Sequence, residues 1–190
     1  MADTACTRPD DRTAAHLTGD LPDSVTTATA EEFVAGVAEF AAANPAMGAF
    51  LTTHDPVDLA DHTLLTTTDG NAGVAVSPDG DIQNLYNHDG PDGAGRTLLR
   101  AAIAAGGRTL DCYDGFLREL YAGHGFRETG RMEFDPDHAP EGWDADRYGH
   151  PDVVFMSYQP NTPDDGETDT YYSPEEWTDA KADSATVAAD

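Results

Sequence analysis

Apolar residues recur along this chain with two periods, and the switches between them divide it into elements. From residue 30 the apolar positions Phe33, Val34, Val37 and Phe40 return every three to four residues, which puts them on one face of a helix. Thr29 and Glu32 form the capping-box pair that satisfies the first free N–H groups, and Asn44 with Pro45 ends the helix. Segments 62–68, 73–77 and 81–87 read as strands, separated by the hairpin turn Asp69, Gly70, Asn71 and by a second turn over 77–80. A helix over 94–105 follows, with Leu98, Leu99, Ala102 and Ile103 on its inner face and Gly106 and Gly107 as its stop. Then come a strand at 109–113 and a second helix that turns Phe116, Leu117, Leu120 and Tyr121 inward before Gly125. Strands at 128–134 and 153–158 flank a long link, 135–151, in which Trp143 and Tyr148 stand among turn residues; long loops on a rigid scaffold often form binding walls. Ser173, Pro174 and Glu176 repeat the capping logic and predict a short helix over 174–181.

A three-strand meander that runs into a helix and returns as a parallel strand defines the fold class. It is α+β, a mixed and mainly antiparallel central sheet flanked by helices. A length of 190 residues suits one domain with a sizeable core. Residues 29–160 carry the periodic elements, residues 1–28 lack apolar periodicity and are expected to be disordered, and residues 161–190 read as an acidic C-terminal extension with a short helix.

Charge changes the picture next. The chain has 36 acidic residues against 10 basic ones, a formal net charge of −26, and Lys181 is its only lysine. The excess is spread: residues 1–28 contribute −3, residues 29–160 contribute −15 and residues 161–190 contribute −8. Such self-repulsion is screened at molar salt, where the Debye length is about 3 Å, so the composition predicts a protein of a salt-accumulating cytoplasm. A mimic of DNA is the rival reading of the charge; it has no use for the glycine loop described below. Nothing in the balance favours nucleic acid or a membrane surface as partner, and neither a basic-then-apolar leader nor a membrane-spanning run is seen. Cys6 and Cys112 make neither a disulfide framework nor a metal site, and Asp135, Asp137 and His138 match no compact ligand spacing, so no metal is expected.

The candidate chemistry lies between Gly90 and Phe126. Gly93, Ala94, Gly95, Arg96, Thr97 and Leu98 form a glycine loop entering a helix, where free backbone N–H groups and the positive end of the helix dipole favour an anion such as a pyrophosphate. Downstream, Leu120-Tyr121-Ala122-Gly123-His124-Gly125-Phe126 is a leucine-tyrosine-x-x-x-glycine-phenylalanine pattern. In this order and spacing, over roughly residues 62–158, the chain resembles the GCN5-related N-acetyltransferases, which transfer an acetyl group from acetyl-CoA to an amine. It departs from them at Gly90, where the family usually has Gln or Arg, and in the acidic flanks Asp89 and Asp92. The resemblance implies acetyl-CoA as co-substrate, a small-molecule or peptide amine as acceptor, and Tyr121 as the general acid that protonates the departing CoA thiolate. It does not identify the base: Asp114, at a strand end where the family often carries a polar residue, and His88 are the candidates, each with the alternative of a turn or surface residue. Arg96 and Arg100 either touch the phosphates or are solvated, and Tyr121 has the alternative of an interior aromatic. A noncatalytic member of the same fold is the alternative function.

Overall fold

A computed structural model describes residues 21–139 and 143–189, and its strands form two four-stranded sheets that meet at one point. The first holds β1 (Val25–Thr27), β2 (Thr63–Thr67), β3 (Ala72–Val76) and β4 (Ile82–Asn87) in that order, all antiparallel. In the second, β5 (Thr109–Tyr113), β6 (Phe126–Met132), β7 (Val153–Tyr158) and β8 (Tyr171–Tyr172) lie in the order β5, β7, β6, β8. Only β8 runs parallel to its neighbour in that sheet. A single parallel bridge, Asp81 to Thr109, joins the two sheets at the start of β4 and β5, so the expected mixed and mainly antiparallel architecture forms.

Helices cover both faces. They are α1 (Ala30–Ala43), α2 (Pro45–Gly48), α3 (Ala94–Ala104), α4 (Phe116–Ala122), α5 (Ala145–Tyr148) and α6 (Trp177–Ala189). The period of two along each strand decides which helix a side chain meets. Leu65, Val74 and Val76 share a core with Leu98, Leu99 and Ala102 of α3, whereas the intervening Leu64 and Ala75 pack with Phe33 of α1. In β7, Val154 and Met156 join the α3 side while Val153 and Phe155 meet Ala180 of α6. Both capping boxes form as the sequence predicts, at Thr29 with Glu32 and at Ser173 with Glu176. Each such cap contributes about 1 kcal/mol.

Four expectations are corrected. Residues 1–20, with Cys6, lie outside the described residues, but residues 25–27, grouped with that segment as disordered, form β1: Val25 is buried and the strand pairs along β2. The acidic segment 161–190 is tied to the rest of the chain. Arg118 holds Asp164 at 2.9 Å, Arg127 Nε donates to the Thr162 carbonyl at 2.6 Å, the Arg131 N–H donates to the Thr170 carbonyl at 2.8 Å, and α6 then lies on the second sheet. That helix is longer than the predicted 174–181 because after Trp177, which packs on Phe155, its inward face carries Ala180, Lys181 and Ser184 instead of large apolar residues, which leaves no periodic signal. Phe116, expected inside, is 74% exposed, because it opens α4 directly after Gly115 (φ +119°), and it is Leu117, Tyr121 and Ala122 that face the sheet. Finally, β6 begins at Phe126 rather than at 128, with a bulge between Glu128 and Gly130 that shifts its phase. Among the described residues no helix is long and apolar enough to cross a membrane.

Candidate active site

Beyond the Asp81–Thr109 bridge, β4 and β5 have no ladder between them, and the gap opens into a cleft of about 670 Å³. The divergence has a local cause in β4. Its register on β3 slips between Gln83, opposite Ala75, and Tyr86, opposite Gly73, and Asn84 adopts a left-handed φ of +50°. Asparagine tolerates that conformation better than a branched residue would. Its side chain then pins the chain crossing above: Asn84 Oδ1 accepts from the Thr52 N–H at 2.8 Å and Nδ2 donates to the Thr52 carbonyl at 2.7 Å. The bulge also resets the side-chain phase, so that Ile82 and Leu85, three residues apart, both face the α3 core.

The glycine loop stands at the far end of β4. Gly93 has φ +82° and caps α3; the Ala94 N–H donates to the Pro91 carbonyl at 3.0 Å and the Thr97 N–H to the Gly93 carbonyl at 3.1 Å. Among the described residues this leaves the N–H groups of Gly93, Gly95 and Arg96 with no backbone acceptor, as the first turn of a helix requires. Open space lies where a Cβ on Gly95 would be. Leu98 is fully buried, so its side chain belongs to the core and not to a ligand, while the Arg96 and Arg100 side chains are exposed.

Tyr121 forms a wall of the cleft. Its ring packs edge-on to Phe126, with centroids 6.2 Å apart, and the residue is only 7% exposed. Burial first, then the neighbouring Cys112 and Asp111, hold the phenol above its ordinary pKa, so it stays protonated at neutral pH. The Cys112 thiol is likewise pushed up by burial and then by Asp111, which makes it inert as a nucleophile.

Asp114 is elsewhere. Its carboxylate accepts from Arg131 Nη1 at 2.9 Å and from the Gly115 N–H at 2.8 Å, and it does not line the cleft. It belongs to a structural cluster around Arg131, which is 3% exposed and also bonds Glu128 at 2.6 Å. The Glu128 hydrogen bonds foremost, against the opposing effect of burial, raise the Arg131 pKa further. Asp114 therefore stands outside the cleft, bound to Arg131, and His88, just past the end of β4, does not line the cleft either.

Four carboxylates line the cleft, Asp81, Asp111, Glu133 and Asp135, and the first two are joined by Lys181 of α6, whose Nζ lies 2.6 Å from Asp81 Oδ1 and 2.6 Å from Asp111 Oδ1. Gln83 Nε2 donates to Asp81 Oδ2 at 3.0 Å and Thr109 Oγ1 to Asp81 Oδ1 at 3.3 Å. Asp81 is 8% exposed; burial raises its pKa, and Lys181 only partly offsets this. No periodicity or motif marks these three residues. The one available signal was that the chain's sole lysine stands on a helix capped by Ser173.

From the long link Asp135 and His138 line the cleft, and Trp143 packs behind it. Trp143 Nε1 donates to the Gly149 carbonyl at 3.0 Å, and its ring packs at centroid distances of 4.8 Å on Tyr113, 5.1 Å on Phe50 and 5.2 Å on Phe134, all three of which line the cleft. Asp135 accepts from the Asp137 N–H at 2.9 Å and lies 2.7 Å from His138 Nδ1, so it closes a turn. Among the described residues no three His, Cys, Asp or Glu side chains are placed to hold a metal ion.

No protein-family model and no curated protein matches the chain. Solved structures do. One is yncA of Salmonella typhimurium, an assigned acetyltransferase solved with its cofactor acetyl-CoA; the match has a TM-score of 0.50 at 14% identity and covers 76% of this chain and 98% of that one. Another is the acetyltransferase of the GNAT family from Streptococcus pneumoniae, with a TM-score of 0.47 at 18% identity over 70% of this chain and 96% of that one. The first match, together with the β4–β5 divergence and the helix-capping glycine loop, shows that this chain has the fold of the GCN5-related N-acetyltransferases.

Proposed function

We propose that this chain transfers an acetyl group from acetyl-CoA to the amine of a small molecule or peptide. The observation that carries the reading is the open cleft between β4 and β5, walled by the protonated Tyr121 at one side, with the free N–H groups of α3 standing beyond the far end of β4. A noncatalytic relative would be expected to fill that gap with a side chain.

The residues divide the work as follows. The N–H groups of Gly93, Gly95 and Arg96 receive the pyrophosphate of acetyl-CoA, with the α3 dipole behind them. The edge of β4 facing the gap pairs with the pantetheine amides as an added strand would. At the bulge, Asn84 and Leu85 are out of register with β3, which leaves backbone N–H there to polarise the thioester carbonyl. Asp81 and Asp111 replace Asp114 and His88 as the groups that take the proton from the attacking ammonium; Lys181 keeps the two carboxylates together. Attack is direct, with no covalent enzyme intermediate, so alignment of amine and thioester supplies much of the rate. The phenol of Tyr121 then donates its proton to the thiolate.

The spread of acidity supports a further part of the reading, that this chemistry runs in a salt-rich cytoplasm. Calorimetric titration of acetyl-CoA in concentrated KCl, followed by thiol-release assays over polyamines, aminoglycosides, amino acids and peptides, tests the function. Binding with thiol release upholds it. Binding without release for every acceptor moves the assignment to the noncatalytic alternative, and no binding at all removes it.

A further inference from the structure

The chain carries its one lysine inside the cleft. All nine other formal cations are arginines, including those that pin the C-terminal segment and bind Glu128, Asp114 and Asp164. Arginine suffices wherever a cation has only to be bonded, since its planar guanidinium is held well by carboxylates and is never deprotonated in a protein. Lysine differs in one chemical respect: its amine becomes a nucleophile when it loses a proton. The single place where this chain retains that property is a place where it faces the cleft, 2.6 Å from Asp81 on the approach to β4 and 2.6 Å from Asp111 on β5.

Three observations put amine, base and acid together. Lys181, Asp81, Asp111 and Tyr121 all line one cavity. The Asp111 carboxylate that holds the ammonium is close enough to Tyr121 to oppose ionisation of its phenol. Asp81 is itself oriented by Gln83 and Thr109, so it is a positioned proton acceptor rather than a mobile one. Burial works to lower the pKa of Lys181 and the two carboxylates outweigh it, so the side chain stays an ammonium. An external amine acceptor also arrives as an ammonium and needs the same help.

We propose that Lys181 is an internal acetyl acceptor, modified by the chain's own acetyl-CoA in the β4–β5 cleft. This rests on the acetyl-CoA reading above. The step balances without a further reactant. Asp81 takes one proton from the ammonium, and the freed Nζ pair bonds to the thioester carbonyl carbon. The tetrahedral adduct loses a second proton from nitrogen to Asp111 and collapses with cleavage of the C–S bond. The thiolate takes the proton of Tyr121, which is restored from the carboxylate pair, and the remaining proton leaves to water. The products are N-acetyl-Lys181 and CoA thiol. The modification also limits itself and the main reaction, because the acetamide occupies the acceptor end of the cleft and no cation remains between Asp81 and Asp111.

The test uses the full chain in concentrated KCl with acetyl-CoA and no added amine, read by intact mass and peptide mapping. The expected result is one acetyl group on Lys181, formed in the folded protein about 10²-fold faster than in the chain unfolded by urea, a ratio that positioned acid and base groups supply. Lys181→Arg should take up none at that position, and pre-acetylated protein should release less thiol with an external amine. Two results overturn the proposal while leaving the acetyltransferase reading intact: thiol release with an added amine while Lys181 stays unmodified, or equal rates in folded and unfolded chains. Absence of acetyl-CoA binding by calorimetry overturns both.

Discussion

Tyr121 serves two purposes that one substitution separates. Its ring is part of the core, edge-on to Phe126, and its hydroxyl is the proposed proton donor. Tyr121→Phe keeps nearly all the apolar volume and removes only the donor. The expected outcome is a kcat lower by about 10²-fold or more, with melting temperature and acetyl-CoA affinity little changed. Steady-state thiol release beside thermal unfolding checks it; a loss of stability with no rate defect would make Tyr121 a core residue alone. The motif around Tyr121 is local, so this position was legible in sequence. Asp114 was misread because its partner, Arg131, is 17 residues away on another strand and only pairing of the sheet brings them together. The same reason hid Asp81 and Asp111, whose shared partner lies 100 and 70 residues downstream.

Among the elements, α3 carries the sharpest prediction. Gly95 has no positive φ and its missing Cβ would meet open space, so glycine is not demanded there by packing. Its value in the proposed site is that a bare backbone lets a pyrophosphate approach the N–H groups. Gly95→Val should therefore weaken CoA binding with little change in melting temperature, as measured by titration calorimetry beside thermal unfolding. Unchanged CoA affinity would move the phosphate seat elsewhere. Elements differ in legibility for a physical reason. Helices α1 and α3 announce themselves by large apolar residues at helical spacing. By contrast α6 buries Ala180 and Ser184, whose Oγ lies 2.6 Å from Thr129 Oγ1, and small polar contacts leave no hydrophobic period.

For the whole molecule, charge sets the conditions of stability. With −26 on 190 residues, lowering KCl exposes self-repulsion. Circular dichroism across a KCl series should show cooperative folding at high salt and loss of structure as salt is removed. An unchanged melting temperature in dilute buffer would refute the salt adaptation and favour the DNA-mimic reading. Alkali acts through different groups. Burial, then Glu39, pushes the Tyr86 phenol up to about 12; burial raises Tyr121 and Cys112 as well, and the two carboxylates outweigh burial to raise Lys181. In all four the folded chain holds a proton that the unfolded chain gives up at lower pH. Stability is therefore full below the unfolded pKa values and falls as pH rises from about 8.5, the ordinary thiol value, through about 10.4, that of lysine. Melting temperatures from neutral pH to about 11 at fixed KCl measure it; a flat profile would contradict the burial of these groups.

By itself the sequence determined what depends on neighbours a few residues apart: the two capping boxes, the hairpin turn at Gly70, the strands of the meander, and the glycine loop with its helix. Periodicity, turns and caps are local properties, so they survive without knowledge of the rest of the chain. Only the tertiary structure decided where the charges go. It gave Asp114 to Arg131, drew the acidic C-terminal segment onto the sheet through arginines, and carried the sole lysine into the cleft between Asp81 and Asp111. A charge has no period along the chain; its partner is fixed by which strands pair and which helix covers them.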